Sequence, residues 1–317
     1  KKQKNMLGPE ITHLNKIKKG HVKSDSTQLV MSGDFFNVAP VRLFMDHEKA
    51  PVLEEIENFQ KNDLNKDYVN QFQVTGEEHI IKCSSNPKWN VGSIKFATKS
   101  DAEKAVGVIS DSYLNGAWAQ CPWVVRAIIL TRAANLLLSN RSKLCALITH
   151  EAGKSIDEAL GDVDEAIDFL NFYAREEGRI NYYSPQAVSR GPIAVISPWN
   201  FPLAIPCGMV AAALVAGNTV ILKSAEQTPL VAQVLVDLLH RAGVPKDVLI
   251  HLPGAGEIVG ESLVNSQSIA GIVFTGSKAV GVGISSKASK RVVENKLFEA
   301  NYPVKVITEM GGKNAII

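Results

Sequence analysis

From Gly191 onward the chain alternates short apolar runs with helix-length segments, and this alternation restricts its possible folds more than any other feature. Ile193–Ile196 is β-branched at three of its four positions and lies between Pro192 and Pro198, which reads as a strand buried on both faces. A helix is predicted from Phe201 to Val215, ending at Gly217, and Thr219–Leu222 is the next strand, closed by Lys223. Thr228 caps a helix that starts with Pro229 and runs to Gly243, because proline at the first helical position gives up no hydrogen bond. Val248–Leu252, Glu257–Asn265 and Ile269–Phe274 continue the alternation, and a helix after Gly276 and a strand at Val304–Ile307 complete it. Strands separated by helices form a parallel sheet with helices on both faces, an α/β fold of Rossmann type.

Upstream the pattern is helical. Ser100 and Glu103 have capping-box spacing and open an amphipathic helix through Ile109; Ser155 and Glu158 repeat the device. Between them one long helix is predicted from about Val124 to Glu151, stopped by Gly153. Residues 1 to 85 read as a mostly irregular extension with a short acidic helix around Pro51–Gln60, and residues 86 to 317 as the main domain. No internal repeat is evident.

Composition excludes several classes. The net charge of +2 gives no reason to expect a nucleic-acid partner, and the lysines crowded between Lys1 and Lys23 read as a solvated arm. Cys83, Cys121, Cys145 and Cys207 show no close pairing, which argues against a disulfide scaffold or zinc site and fits a reducing compartment. The most apolar segment, after Phe201, contains Pro202, Pro206 and Gly208 and reads as a buried helix, not a membrane span. The lysine-rich start has no apolar stretch of signal-peptide type, so a cytoplasmic protein is expected.

Ligands of parallel sheets bind beyond the carboxyl ends of the strands, which directs attention to the loops there. Gly254, Gly256 and Gly260 resemble a phosphate-binding turn, but the G-x-G-x-x-x-G spacing is one residue longer than the dinucleotide fingerprint, and a plain turn is as good a reading. Thr275-Gly276-Ser277 opens a helix and either faces a phosphate or simply caps it. Lys223 and Glu226 end a strand as a pair able to bind ribose hydroxyls, or as a solvated strand end. Asn200 sits in a stiff turn between Pro198 and Pro202, suited either to donating to a developing oxyanion or to local turn bonding. Glu309 follows the last strand and precedes a double glycine, where a partly desolvated carboxylate can act as general base. Gly153-Lys154-Ser155 lacks the earlier glycine of a P-loop, and His150-Glu151 lacks the second histidine of a zinc-protease helix; both are rejected.

In order, Ile196-Ser197-Pro198-Trp199-Asn200-Phe201-Pro202, Val220–Pro229, Phe274-Thr275-Gly276-Ser277 and Glu309-Met310-Gly311-Gly312-Lys313 resemble motifs of the aldehyde dehydrogenase superfamily over roughly residues 85 to 317. Within it, Glu151-Ala152-Gly153-Lys154 and Glu165–Leu170 are similar to the branch that oxidises L-glutamate γ-semialdehyde (1-pyrroline-5-carboxylate). Leu7-Gly8-Pro9-Glu10 is similar to the connector after the proline dehydrogenase half of bifunctional proline-utilisation enzymes. The resemblance implies NAD as cofactor, bound by Ser197, Trp199, Lys223, Glu226, Gly256, Gly260, Thr275, Gly276, Ser277 and Val280, with Asn200 and Glu309 as catalytic groups and no metal. It implies a small aldehyde as substrate and a homo-oligomeric full-length protein. Ser224 departs from the proline common after the lysine, a change expected to alter the turn slightly, and Thr308 replaces a small apolar residue.

The family's nucleophilic cysteine lies beyond the glutamate in a glycine-glutamine-x-cysteine context, and none of the four cysteines here has one. The expectation is therefore a chain whose catalytic domain lies past Ile317, able to hold cofactor without turning over aldehyde. Two alternatives stay open: a dehydrogenase of another aliphatic aldehyde, and a non-catalytic nucleotide-binding or interaction module.

Overall fold

The computed structural model describes residues 35–311; Leu7-Gly8-Pro9-Glu10, Gly312 and Lys313 lie outside them. Helix α1, Asp46–Asn58, continues into a π-helical turn, Phe59–Asp63, where the sequence predicts the acidic helix. Strands β1 (Lys66–Asp67), β2 (Glu78–Lys82) and β3 (Asn90–Lys95) form a small sheet in the order β1-β3-β2. The division predicted between residues 85 and 86 falls inside the antiparallel β2–β3 pair. Val52, Phe59 and Ile81 are buried in the same core as Leu130 and Leu137, so this stretch packs as one body with the helices after it. Its apolar residues are too sparse to announce that from periodicity.

Four helices come next: α2 (Lys99–Asn115), α3 (Trp123–Ser139), α4 (Arg141–Ala152) and α5 (Ile156–Tyr183). The cap of α2 is Thr98 with Asp101, not Ser100 with Glu103. Asp101 is buried and also accepts from the Thr75 N–H and hydroxyl, tertiary bonds that outweigh a local alternative two residues along. The single helix predicted over Val124–Glu151 is two, broken at Asn140, whose side-chain amide donates to Leu136 O at 2.8 Å. Gly153 ends α4 in the left-handed region at φ 72°, and the Ser155–Glu158 capping box opens α5 as predicted.

The rest is the α/β unit: β4 (Pro192–Ile196), α6 (Ala204–Val215), β5 (Thr219–Lys223), α7 (Pro229–Ala242), β6 (Leu249–His251), α8 (Glu261–Asn265), β7 (Gly271–Gly276), α9 (Lys278–Ala288), a hairpin of β8 (Val292–Asn295) and β9 (Ala300–Pro303), and β10 (Lys305–Met310). Five strands form one parallel sheet in the order β10-β7-β4-β5-β6. Side-chain alternation explains why both faces are covered. Ile193, Val195, Val220 and Leu222 point into the core made with α3, α5, α6 and α7. Ala194, Ile196, Ile221 and Phe274 point into the core made with α2, α8 and α9. Each fully buried aliphatic side chain is worth about 1.5–3 kcal/mol, so a one-residue slip of β4 would exchange two well-filled faces at large cost. The β8–β9 hairpin has no counterpart in the sequence reading, and the last strand runs further than Val304–Ile307, so Glu309 lies within it.

Thr228 occupies the cap position of α7, but its hydroxyl makes no cap bond. The carboxylate of Glu151, brought in from the end of α4, accepts the Leu230 and Val231 N–H groups at 2.7 and 2.8 Å instead. A longer acceptor from another helix has taken the local residue's place, although burial pushes the Glu151 carboxyl up to about 8 against the pull of the two N–H groups.

Candidate active site

The strand order reverses beside β4: the chain moves outward through β5 and β6, then returns to β4's other edge as β7 and β10. The crevice outside the carboxyl ends of β4 and β7 is thus the topological switch point, where parallel sheets take ligands. Register puts Lys223, Thr275, Gly276 and Glu309 on its rim. Ile196 is level with Lys223 on one side and Phe274 on the other, and Thr275 with Glu309. At the usual spacing between neighbouring strands, Glu309 and Lys223 stand about 14 Å apart across three strand gaps.

On the β5 side, Lys223 is almost fully buried and its ammonium lies 3.9 Å from Glu226 Oε1. Burial holds the lysine below its ordinary pKa, with Glu226 and Glu257 pulling it back up. Glu226 Oε1 also accepts the Gly256 N–H at 2.8 Å, tying the β5 end to the glycine-rich turn. That turn, Gly256–Gly260, is π-helical, so the residue in excess of the dinucleotide fingerprint is absorbed as a wider turn. Gly256 is exposed at the mouth, while Gly260 is buried at the turn's far end. Gly254 has φ 159°, and a Cβ there would come within 2.7 Å of Val259 Cγ2 and 3.1 Å of Ala97 O, so any side chain there forces its neighbours to shift.

On the β7 side, Ser277 caps α9 by accepting the Val280 N–H at 3.4 Å, the plainer of its two readings. The first turn of α9, with exposed Ser277 and Val280, still presents backbone N–H groups toward the rim beside Thr275 and Gly276. Glu309 is exposed near the end of β10 and, with Thr275, borders a cavity of about 570 Å³ between the sheet and Phe169, Tyr173 and Met209. Its neighbour Met310 packs over Gly281, where a Cβ would lie 2.6 Å from the sulfur.

The turn after β4 completes the rim. Ser197 is buried and donates its N–H to Lys223 O at 3.1 Å, whereas Trp199 and Asn200 are exposed. Behind the turn, Asp162 of α5 accepts the Ala204 N–H at 2.7 Å at the start of α6. Sequence reasoning had no signal for Asp162 or Glu151, since each serves a helix start more than forty positions away.

Ser224 also has a use that the sequence did not announce. Its hydroxyl lies 2.9 Å from His251 Nε2, and His251 Nδ1 lies 2.9 Å from Gln233 Oε1. Gln233 Nε2 donates to Asp237, so its oxygen must accept, which makes Nδ1 the protonated nitrogen and Nε2 the acceptor of the Ser224 hydroxyl. Burial, then the Lys223 charge, push His251 down to about 3, and the ring is neutral. No cysteine joins the rim. Cys83, Cys145 and Cys207 are buried, with burial pushing Cys145 up to about 11 and Cys207 well above its ordinary value, and Cys121 lies in the loop before α3.

A family model described as "Aldehyde dehydrogenase family" matches residues 74–317. The chain is 40% identical over 246 residues to bifunctional protein PutA of Escherichia coli K12, covering 77% of this chain and 18% of that protein. It is 37% identical over 297 residues to 1-pyrroline-5-carboxylate dehydrogenase 1 of Halalkalibacterium halodurans, covering 88% of this chain and 56% of the relative. A crystal structure of 1-pyrroline-5-carboxylate dehydrogenase from Thermus with bound NAD superposes with a TM-score of 0.80 at 31% identity, covering 89% of this chain and 57% of that one. The chain thus spans about half the length of these dehydrogenases and a smaller share of PutA.

Proposed function

The chain belongs to the aldehyde dehydrogenase family, and from that premise we propose that the full-length protein oxidises L-glutamate γ-semialdehyde to glutamate with NAD+, within proline catabolism. The observation that supports the proposal is the rim itself: register brings the ends of strands scattered over more than a hundred residues level with one another at Ile196, Lys223, Thr275 and Glu309, with Asn200 in the turn after β4 and Ser277 at the start of the helix after β7. The substrate is inferred from the relatives named 1-pyrroline-5-carboxylate dehydrogenase and PutA.

The residues present fit a dinucleotide. A ribose diol both donates and accepts; Lys223 can only donate and Glu226 only accept, and the pair stands 3.9 Å apart at the crevice mouth. A carboxylate there repels a 2′-phosphate, which favours NAD+ over NADP+. Gly256 leaves the backbone open beside them, and the first turn of α9, after Gly276 and Ser277, offers N–H groups and its dipole to the pyrophosphate. NAD+ would supply the hydride acceptor.

Asn200, held between Pro198 and Pro202, donates its amide N–H to the carbonyl oxygen as negative charge builds there. Glu309 takes a proton from the water that releases the acid. All four cysteines of the sequence lie away from the rim or are buried, so the thiolate for nucleophilic attack comes from the part of the full-length protein that the relatives' greater length represents. Residues 1–317 alone are expected to bind NAD+ at most.

The test is an assay of the full-length protein on 1-pyrroline-5-carboxylate and on simple aliphatic aldehydes, with NAD+ and with NADP+. Activity confined to simple aldehydes rejects the substrate; activity on none of them, in a folded protein that binds no NAD+, rejects the enzyme reading in favour of a non-catalytic module.

A further inference from the structure

Gly153-Lys154-Ser155, which carries no phosphate-loop function, connects α4 to α5 directly behind the Asn200 turn. Lys154 does not reach solvent freely: its side chain is 12% exposed, its ammonium lies 3.3 Å from Asp162 Oδ2 and sits 3.8 Å from the centroid of the Phe201 ring. Asp162 has no exposed side-chain surface, and its other oxygen accepts the Ala204 N–H at 2.7 Å. One lysine therefore holds both ends of the segment from Phe201 to Ala204, the ring through its charge and the backbone through a buried carboxylate.

We infer that Lys154 is a positioning residue for Asn200: its cation–π contact with Phe201 and its ion pair with Asp162 set the angle at which the Asn200 amide meets the crevice. The physical need is clear from the sequence around it. Pro198 and Pro202 restrict their own φ angles but supply no N–H to anchor the turn, and Asn200 and Phe201 are exposed. An exposed donor that must stay within hydrogen-bond geometry of a developing charge needs support from behind, and a desolvated ammonium over an aromatic face supplies a directional, stiff contact. Asp162 gives the ammonium a partner: burial still holds the Asp162 carboxyl above its ordinary pKa, but the Ala204 N–H and Lys154 offset part of that cost, whereas a buried charge with no partner would bear all of it.

The inference rests on the role proposed above for Asn200, so its test carries one readout of turnover and one that does not need turnover. In the full-length protein, Lys154→Met keeps the aliphatic stem and removes the charge; Lys154→Arg restores a cation. Misplacing a catalytic donor by a fraction of an ångström is expected to lower kcat on 1-pyrroline-5-carboxylate about tenfold or more in Lys154→Met, with partial recovery in Lys154→Arg. The Kd for NAD+, read by calorimetry, stays within about twofold, because Lys154 touches none of the ribose or pyrophosphate positions. Hydrogen exchange of the segment 199–204 quickens by about tenfold in Lys154→Met while α7 and the sheet keep their protection. Should Lys154→Met fail to fold, Phe201→Leu decides, since the ring is partly exposed and its loss leaves the Lys154–Asp162 pair intact; the same fall in kcat and the same faster exchange are expected. The inference is overturned if kcat and exchange are both unchanged in a folded variant, or if kcat falls only in proportion to weaker NAD+ binding. If the wild-type protein oxidises no aldehyde, the proposed function fails, and the exchange measurement alone then decides whether Lys154 holds the turn.

Discussion

His251 gives the sharpest pH test of this structure. Its ring is fully enclosed, with Nδ1 bound to Gln233 and Nε2 to Ser224, and burial beside the Lys223 charge pushes its pKa down to about 3 from 6.5. Between about pH 6.5 and 3 the unfolded chain binds a proton that the folded ring refuses, so stability is lost as pH falls through that window. At about 1.4 kcal/mol per pH unit, the group removes roughly 2 kcal/mol by pH 5 and about 5 kcal/mol by pH 3. His251→Gln is the informative variant, because an amide can accept from Ser224 and donate to Gln233 without titrating. Urea unfolding of both proteins at pH 7 and pH 5 isolates the histidine from every other group. The wild type should lose about 2 kcal/mol more than the variant across that step. Equal losses would show that His251 accepts its proton when folded and that the neutral-ring assignment is wrong.

Other consequences are as specific. Glu151→Ala strips the acceptor from the Leu230 and Val231 N–H groups inside the fold and is expected to cost about 2–4 kcal/mol in urea unfolding, with Glu151→Gln clearly milder; a loss below about 0.5 kcal/mol would mean water replaces the cap. Gly254→Ala forces a Cβ against Val259 and Ala97 at φ 159° and should cost about 1–3 kcal/mol, seen as a lower Tm, together with weaker NAD+ binding. Glu226→Gln keeps an acceptor for the Gly256 N–H but removes the charge beside the proposed ribose site, so NADP+ should bind about tenfold more tightly by calorimetry; an unchanged NADP+ affinity places the 2′ position elsewhere.

Much of the candidate site could be placed from the sequence because its residues sit at strand ends. A strand buried on both faces writes its own bounds as an apolar run, and the first polar residue after it is at the rim: Ser197, Lys223 and Thr275 were found in this way. The turn at Gly256 was legible as an anomaly in spacing, though only the structure shows the π-helical geometry that absorbs it. Glu309 was placed after its strand because Thr308 and Glu309 are polar; pairing with β7 extends the strand through Met310, and an edge strand can carry polar residues on the side it leaves open. The helix break at Asn140 was hidden by unbroken apolar periodicity on both sides of it.

The sequence by itself determined the strand–helix alternation, the parallel sheet and which loops collect at one rim, because these arise from short-range patterns of side-chain burial. Only the tertiary structure decided which polar groups serve one another: Glu151 at the start of α7, Asp162 and Lys154 behind the Asn200 turn, Ser224 with His251. Those pairings join residues far apart in the chain, and a buried polar atom is satisfied by whatever partner the packing brings within about 3 Å, which no local pattern encodes.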